Sequence, residues 1–288
     1  MKLLVGVLHT IENEFEECLA AIRRQTHTAV DVFVIEKLRN REAHERLYRT
    51  FMERAGEFDV FVKVDADMVL CRDDFFAGVA RVFRESPDVD RLYVAVDDFF
   101  TQKLIMGLNC YRNTVRWPSS SEDLFVDAQP PCAGRKIKDW DGLAPAATHC
   151  KNPSCFQAFH FGVHKAVKAI QPDREDFRPS SSRVHWANIR DMRRSLRRTE
   201  DIRRAYAVLG SELALGGGIA PAHLDFDNPL LHARFEPYQG LNMRGLKRVI
   251  RAEGLRNAAF LPGMLRHRWL LMRGRRRRVA TTGEKQQD

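Results

Sequence analysis

The chain has no apolar run approaching the ~20 residues that a membrane-spanning helix needs. Residues Met1 to Leu8 are mostly apolar, but they lead straight into His9-Thr10-Ile11-Glu12, without the apolar length or small-residue tail of an export signal. Six cysteines are spread over 288 residues. Cys18, Cys71 and Cys110 stand among apolar or helical neighbours, so small buried thiols are expected rather than a disulfide framework. No internal repeat is found, which argues against solenoid architectures. The apolar share is an ordinary 44%, which argues against both a disordered chain and a membrane-embedded bundle. Together these absences predict a cytoplasmic protein with a substantial core. Acidic residues are scarce in one place only. Between Arg244 and Arg278 there are twelve Lys or Arg and one Glu, against a net charge of +9 for the whole chain. The body before that segment is therefore close to neutral.

What is present is organised around Val60-Phe61-Val62-Lys63-Val64-Asp65-Ala66-Asp67. Alternating side chains put Val60, Val62 and Val64 on one face of a strand, and the Val-rich composition fits a buried sheet. The strand ends in two carboxylates spaced i, i+2. In open α/β sheets ligands sit outside the carboxyl ends of the strands. Two acids placed there repel each other unless a cation or a hydrogen-bonded hydroxyl lies between them, and carboxylates suit Mg²⁺ or Mn²⁺.

Around this stretch the pattern predicts strands over Lys2–Leu8, Val30–Ile35 and Arg91–Val96. Helices are predicted over Asn13–Gln25, Arg41–Ala55 and Asp73–Arg84. That β-α-β-α-β-α-β order predicts an α/β fold with a mostly parallel sheet and helices on both faces. A further strand is expected over Leu104–Tyr111. Arg116 to Asp141 reads as a long polar loop, and loops of that length are commonly functional. Ser154 is placed to cap a helix running to Ile170. Arg178–Ser182 reads as a linker, followed by a helical region from Trp186 to Leu215.

Several of these words, taken together, resemble the family 2 glycosyltransferases of the GT-A (Rossmann-like) fold. The matching words are Val5-Gly6-Val7-Leu8, Asn13-Glu14 leading to Glu17-Cys18-Leu19-Ala20-Ala21-Ile22-Arg23-Arg24-Gln25-Thr26, Val32-Phe33-Val34-Ile35-Glu36, and Gly56 through Asp67. The likeness extends to about Tyr111. It departs from the family where His9-Thr10 replaces a usual Pro and where Glu36 replaces a usual Asp. The resemblance implies a domain over residues 1–172 that binds a nucleotide-diphosphate sugar, with Thr10, Glu12 and Glu36 lining the nucleotide. It implies Asp65 at the ribose or a metal-bound water and Asp67 on a Mn²⁺ or Mg²⁺ ion, which would act as a Lewis acid on the leaving diphosphate. The implied activity is transfer of a hexosyl-type sugar, with inversion, to a glycan or lipid-linked acceptor, as in polysaccharide biosynthesis.

The segment His149-Cys150-Lys151-Asn152-Pro153-Ser154 precedes a helix start, where free N–H groups attract phosphate. It is similar to a late element of several GT-A transferases, which implies His149 as a metal ligand and Lys151 on phosphate. A rival reading takes Cys150, Cys155, His160 and His164 as zinc ligands. Their spacing is short, and one continuous helix would point them in different directions. An acceptor hydroxyl needs a base. Asp127, after a small apolar run, is the first candidate; Asp123 is the alternative, and Asp97-Asp98 a further one. Residues 173–240 read as a helical extension and 241–288 as a basic amphipathic tail. The tail suits an anionic membrane surface and so a peripheral location on the inner membrane face. Nucleic acid is not expected as a partner, because no nucleic-acid-binding fold is recognisable. Two other functions compete. One is a sugar-1-phosphate nucleotidyltransferase of similar fold, disfavoured because the first loop lacks a Gly-rich, basic triphosphate signature. The other is a non-catalytic basic module that binds membrane or nucleic acid.

Overall fold

A computed structural model describes residues 1–127, 130–172 and 174–258. The chain begins with β1 (Leu3–His9), α1 (Phe15–Arg23), β2 (Val30–Glu36), α2 (Asn40–Glu53) and β3 (Val60–Asp65). Strand β1 lies between β2 and β3, parallel to both, and β3 ends where Asp65 pairs with Leu8. Both faces of β3 are buried, as its Val-rich sequence requires. Val60, Val62 and Val64 pack with residues of α1 such as Cys18 and Ile22. The opposite face carries Phe61, Lys63 and Asp65; Phe61 packs with Phe51 of α2 and with Trp117. Helix α2 approaches β1 closely: a Cβ on Gly6 would lie 2.2 Å from Leu47.

The sheet continues through β4 (Met68–Leu70), β5 (Val89–Asp98), β6 (Lys103–Arg112), β7 (Arg135–Asp139) and β8 (Ala147–His149), with α3 (Phe75–Glu85) after β4. The path across the sheet is β2-β1-β3-β6-β5-β8-β4, and β7 pairs with β5. This corrects the expected mostly parallel arrangement to a mixed sheet. The reason is local. Residues 99–102 form a tight turn, with Gln102 at φ 54° and Asp98 Oδ2 accepting from the Thr101 N–H at 2.7 Å and from its hydroxyl at 2.6 Å. So short a connection makes a hairpin, not a crossover. Strand β6 therefore runs antiparallel to both β5 and β3.

The second half is helical: α4 (Cys155–Ile170), α5 (Pro179–Thr199), α6 (Ile202–Leu215) and α7 (Pro229–Phe235), followed by a helix across residues 243–258. Ser154 caps α4 as expected. Its hydroxyl accepts from the Gln157 N–H at 3.0 Å, and Gln157 Oε1 accepts from the Ser154 N–H at 2.9 Å. Such a reciprocal cap contributes about 1 kcal/mol. The expected linker at Arg178–Ser182 is instead the first turn of α5, opened by Pro179, whose missing N–H has no partner to lose there. The single helical region expected up to Leu215 is two helices, broken where Glu200 turns to φ 52° and Asp201 caps α6. Helices α4 and α6 cross at two glycines. A Cβ on Gly162 would sit 1.8 Å from the Ala207 carbonyl oxygen, and one on Gly210 would sit 2.1 Å from that of Phe159. Val163, Met192, Leu209 and Leu231 share one core with Phe100, Leu124 and Leu246. That core crosses the expected 172/173 boundary and includes residue 246 of the expected tail. Among the described residues, no helix is long and apolar enough to cross a membrane.

Candidate active site

Asp67 leaves the end of β3 and lies against β8. Its backbone oxygen accepts from the Cys150 N–H at 2.8 Å, which holds the 149–150 segment over it. Its Oδ2 is 3.3 Å from His149 Nε2 and accepts from the Cys150 thiol at 3.3 Å. Its Oδ1 is buried, with no hydrogen-bond partner among the described residues. An unpaired buried carboxylate oxygen is costly, so the geometry suits a ligand. Asp67, His149 and Cys150 can each turn one donor atom to a common ion, all within 4.8 Å of one another. Their Asp, His and Cys donors fit a divalent ion, the nitrogen and sulfur favouring a borderline-soft one.

Behind His149 stands Asp98. Its Oδ1 is 2.7 Å from His149 Nδ1, and its Oδ2 is held by Thr101. Nδ1 donates to Asp98, which orients the ring so that Nε2 faces Asp67; an ion held there would take the place of the Nε2 proton. Burial opposes a charge on His149, but Cys150, Asp67 and Asp98 outweigh it and hold the imidazole well above its usual range. Burial likewise opposes ionisation of Asp67, and His149 outweighs it, so the carboxyl lies below its usual value.

Asp65 is not drawn into that cluster. Both its oxygens are taken by Lys63 Nζ, at 2.8 and 2.9 Å. Lys63 is only 3% exposed and also lies 3.2 Å from Asp127 Oδ1, which His44 Nε2 meets at 2.7 Å. Asp127 is itself 47% exposed, so this centre opens to solvent. The protein packed on its inner side would raise its carboxyl; Lys63 and His44 instead hold it well below the usual range, ionised at neutral pH. The structure thus brings Asp127 beside Asp65, whereas Asp123 is turned to Arg41, 3.1 Å away.

On the β1 side, Glu12 Oε2 accepts from the Thr10 N–H at 2.6 Å and the Ile11 N–H at 3.0 Å. Burial pushes its carboxyl up to about 7; the Thr10 N–H opposes that and the charge of Asp67 adds to it. His9 stacks on Phe15 and lies 3.6 Å from Glu36, which is half exposed. Thr10, Glu12 and Glu36 therefore share the β1 and β2 ends of the same sheet edge. Lys151 is paired with Glu17. Among the described residues the zinc ligand set is not brought together: His160 Nε2 meets the Leu224 carbonyl at 2.7 Å, and the group able to hold an ion takes Cys150 without Cys155, His160 or His164.

Four participants escaped the sequence reading in their roles. Lys63 passed as part of an apolar strand, although its position two residues before Asp65 puts both on one face. His44 lies on α2, far from any motif. Cys150 reads in the sequence as a partner of Cys155, His160 and His164 rather than of Asp67. Asp98 reads in the sequence as a candidate base, whereas the structure makes it the group that orients His149.

No protein-family model matches the chain, and no curated protein matches it. Among solved structures, A197 from STIV aligns at 14% identity with a TM-score of 0.35, over 48% of this chain and 81% of that one. A likeness at that level carries no inference about this chain.

Proposed function

We propose that the chain is a metal-dependent glycosyltransferase of GT-A type, moving a sugar from a nucleotide-diphosphate donor to a glycan or lipid-linked acceptor. The observation that carries the reading is the buried, unpartnered Asp67 Oδ1 beside His149 and Cys150, at the carboxyl end of a central strand. Asp67, His149 and Cys150 would hold the ion, which supplies positive charge for the departing diphosphate. Asp98 keeps the His149 ring in place. Thr10, Glu12 and Glu36 would border the nucleotide. Asp127, ionised and open to solvent, would take the proton of the acceptor hydroxyl, while Lys63 fixes it relative to Asp65. The Asp-x-Asp pair is thus divided, one acid for the ion and one for the lysine that organises the base.

The test is calorimetry with UDP and GDP, each with and without Mn²⁺. Binding only with the metal is expected in the wild type and is expected to vanish in Asp67→Ala, with the circular dichroism spectrum unchanged. Asp67 stands at a strand end, so the substitution removes little core. Diphosphate affinity that survives the substitution sinks the metal assignment. A requirement for triphosphate together with a sugar phosphate would point instead to nucleotidyl transfer.

A further inference from the structure

Helix α4 carries a group of cations that the chemistry above does not use. Lys168 is 9% exposed, and its ammonium lies 5.6 Å from the centre of the Phe125 ring. Lys165, one turn earlier, stands over Phe161 at 4.5 Å, and that ring is 5.5 Å from His149. Two imidazoles on the neighbouring helical surface offer free ring nitrogens: His164, one turn before Lys168 on α4, and His185 on α5, whose buried Nε2 and Nδ1 respectively have no hydrogen-bond partner among the described residues. Burial pushes Lys168 down to about 8 and pushes both histidines down, as happens to cationic groups left without an adequate partner.

An ammonium as enclosed as that of Lys168 is costly unless an anion approaches it closely, and a second cation one turn away adds to the cost. Two neutral imidazoles, each with a free ring nitrogen, could add hydrogen-bond donors without adding charge. Lysines and donor groups converging in a partly dehydrated place are the chemistry of a phosphate site. The position matters too. Lys165 and His149 both stand against the Phe161 ring, and Lys168 stands against Phe125, two residues before Asp127. The group therefore borders both the Asp67–His149–Cys150 cluster and the segment that carries the acid proposed to deprotonate the acceptor.

We propose that Lys165, Lys168, His164 and His185 form a phosphate-class anion site that receives a phosphate group of the acceptor. The anion site stands on its own geometry; its assignment to the acceptor rests on the transferase reading. It narrows the acceptor class from any hydroxyl compound to one bearing a phosphate, such as a phosphorylated glycan or a lipid-linked phosphate.

The probe is inorganic phosphate, titrated calorimetrically into the full chain with a chelator present, so that no metal contributes. Metal-free binding is expected in the wild type and should weaken at least tenfold in Lys168→Met and in Lys165→Met. Lys103→Met, which removes an exposed lysine paired to Asp191, should leave it unchanged and controls for net charge. Lys168→Met replaces a buried ammonium, and Lys165→Met a half-buried one, with an apolar chain of similar length, so their melting temperatures should hold or rise. A loss of phosphate binding in such variants is then not unfolding. Absent metal-free binding, or binding equal in Lys168→Met, overturns the site. The second arm repeats the titration with UDP and GDP, each saturating with Mn²⁺. Phosphate that still binds supports the acceptor; phosphate that is displaced assigns the site to the donor's diphosphate and overturns the acceptor half. If neither nucleotide binds with metal, the transferase reading fails while the anion site remains measurable.

Discussion

Glu12 shows how closely single residues near the sheet edge are tied to charge. Its carboxyl is pushed up to about 7 from an ordinary 4.5 by burial, with Asp67 adding to the effect. The folded state therefore holds a proton on Glu12 that the unfolded chain has released. The sign follows from linkage: this contribution to stability is full below pH 4.5 and is lost as the pH rises through about 7. A shift of that size is worth up to about 3 kcal/mol. Glu12→Gln keeps the shape and acceptor oxygen but cannot ionise. Urea unfolding at pH 5 and pH 8 should show the variant gaining stability over wild type at pH 8, with little difference at pH 5. An equal difference at both pH values would mean that Glu12 is not buried as its carboxyl. In the sequence Glu12 reads only as a loop acid near a nucleotide, because neither its burial nor the charge of Asp67 beside it leaves a local pattern. The same holds for His149, which was legible as a ligand while the Asp98 behind it was not. A partner 51 residues away in sequence leaves no local pattern.

At the scale of elements, local period decided what could be read. Strands β1, β2 and β3 and helices α1, α2 and α3 follow from apolar spacing and end close to where expected, as does α4 with its Ser154 cap. The direction of β6 did not follow, because it depends on a four-residue turn held by Asp98 and Thr101, not on the strand's own residues. The break between α5 and α6 was equally hidden: Glu200 and Asp201 sit within an otherwise helical, arginine-rich run. The α4–α6 crossing is a further feature that composition conceals, since Gly162 and Gly210 look like weak helix formers until the partner backbone is present. Gly162→Ala must push the Ala207 carbonyl away, and overpacking of this kind costs about 1–3 kcal/mol or more. The melting temperature should fall by roughly 3–10 °C, at about 2–4 °C per kcal/mol for a chain of this order of size. Gly56→Ala, where an added Cβ meets nothing within 4 Å, should change it little. If the two variants melt alike, the helices do not approach through these glycines.

For the whole molecule, the division of charge matters more than its total. The expected tail begins at 241, but Leu246 is fully buried, and Asn257 Nδ2 donates to the Glu212 backbone at 2.8 Å and to its carboxylate at 2.9 Å. Residues 243–258 therefore belong to the folded body. Removing them along with the rest would expose core and confound any test of membrane binding. Residues 259–288 lie outside the described residues, and their sequence carries eight Lys or Arg against two acids, interleaved with Phe260, Leu265, Trp269, Leu270 and Leu271. Each cation close to an anionic surface contributes roughly 1 kcal/mol, so attraction survives even if half of them stand too far away. The apolar side chains add burial that salt does not screen. Co-sedimentation with vesicles containing anionic lipid should therefore pellet the full chain, with binding that falls but does not vanish as ionic strength rises. The chain truncated after residue 258 should stay in the supernatant while keeping its melting temperature. A lipid-linked phosphate acceptor would connect this surface to the Lys165–Lys168 site, since both would then face the same membrane. Equal pelleting of the truncated and full chains would remove the tail from that picture and leave the phosphate site to a water-soluble acceptor.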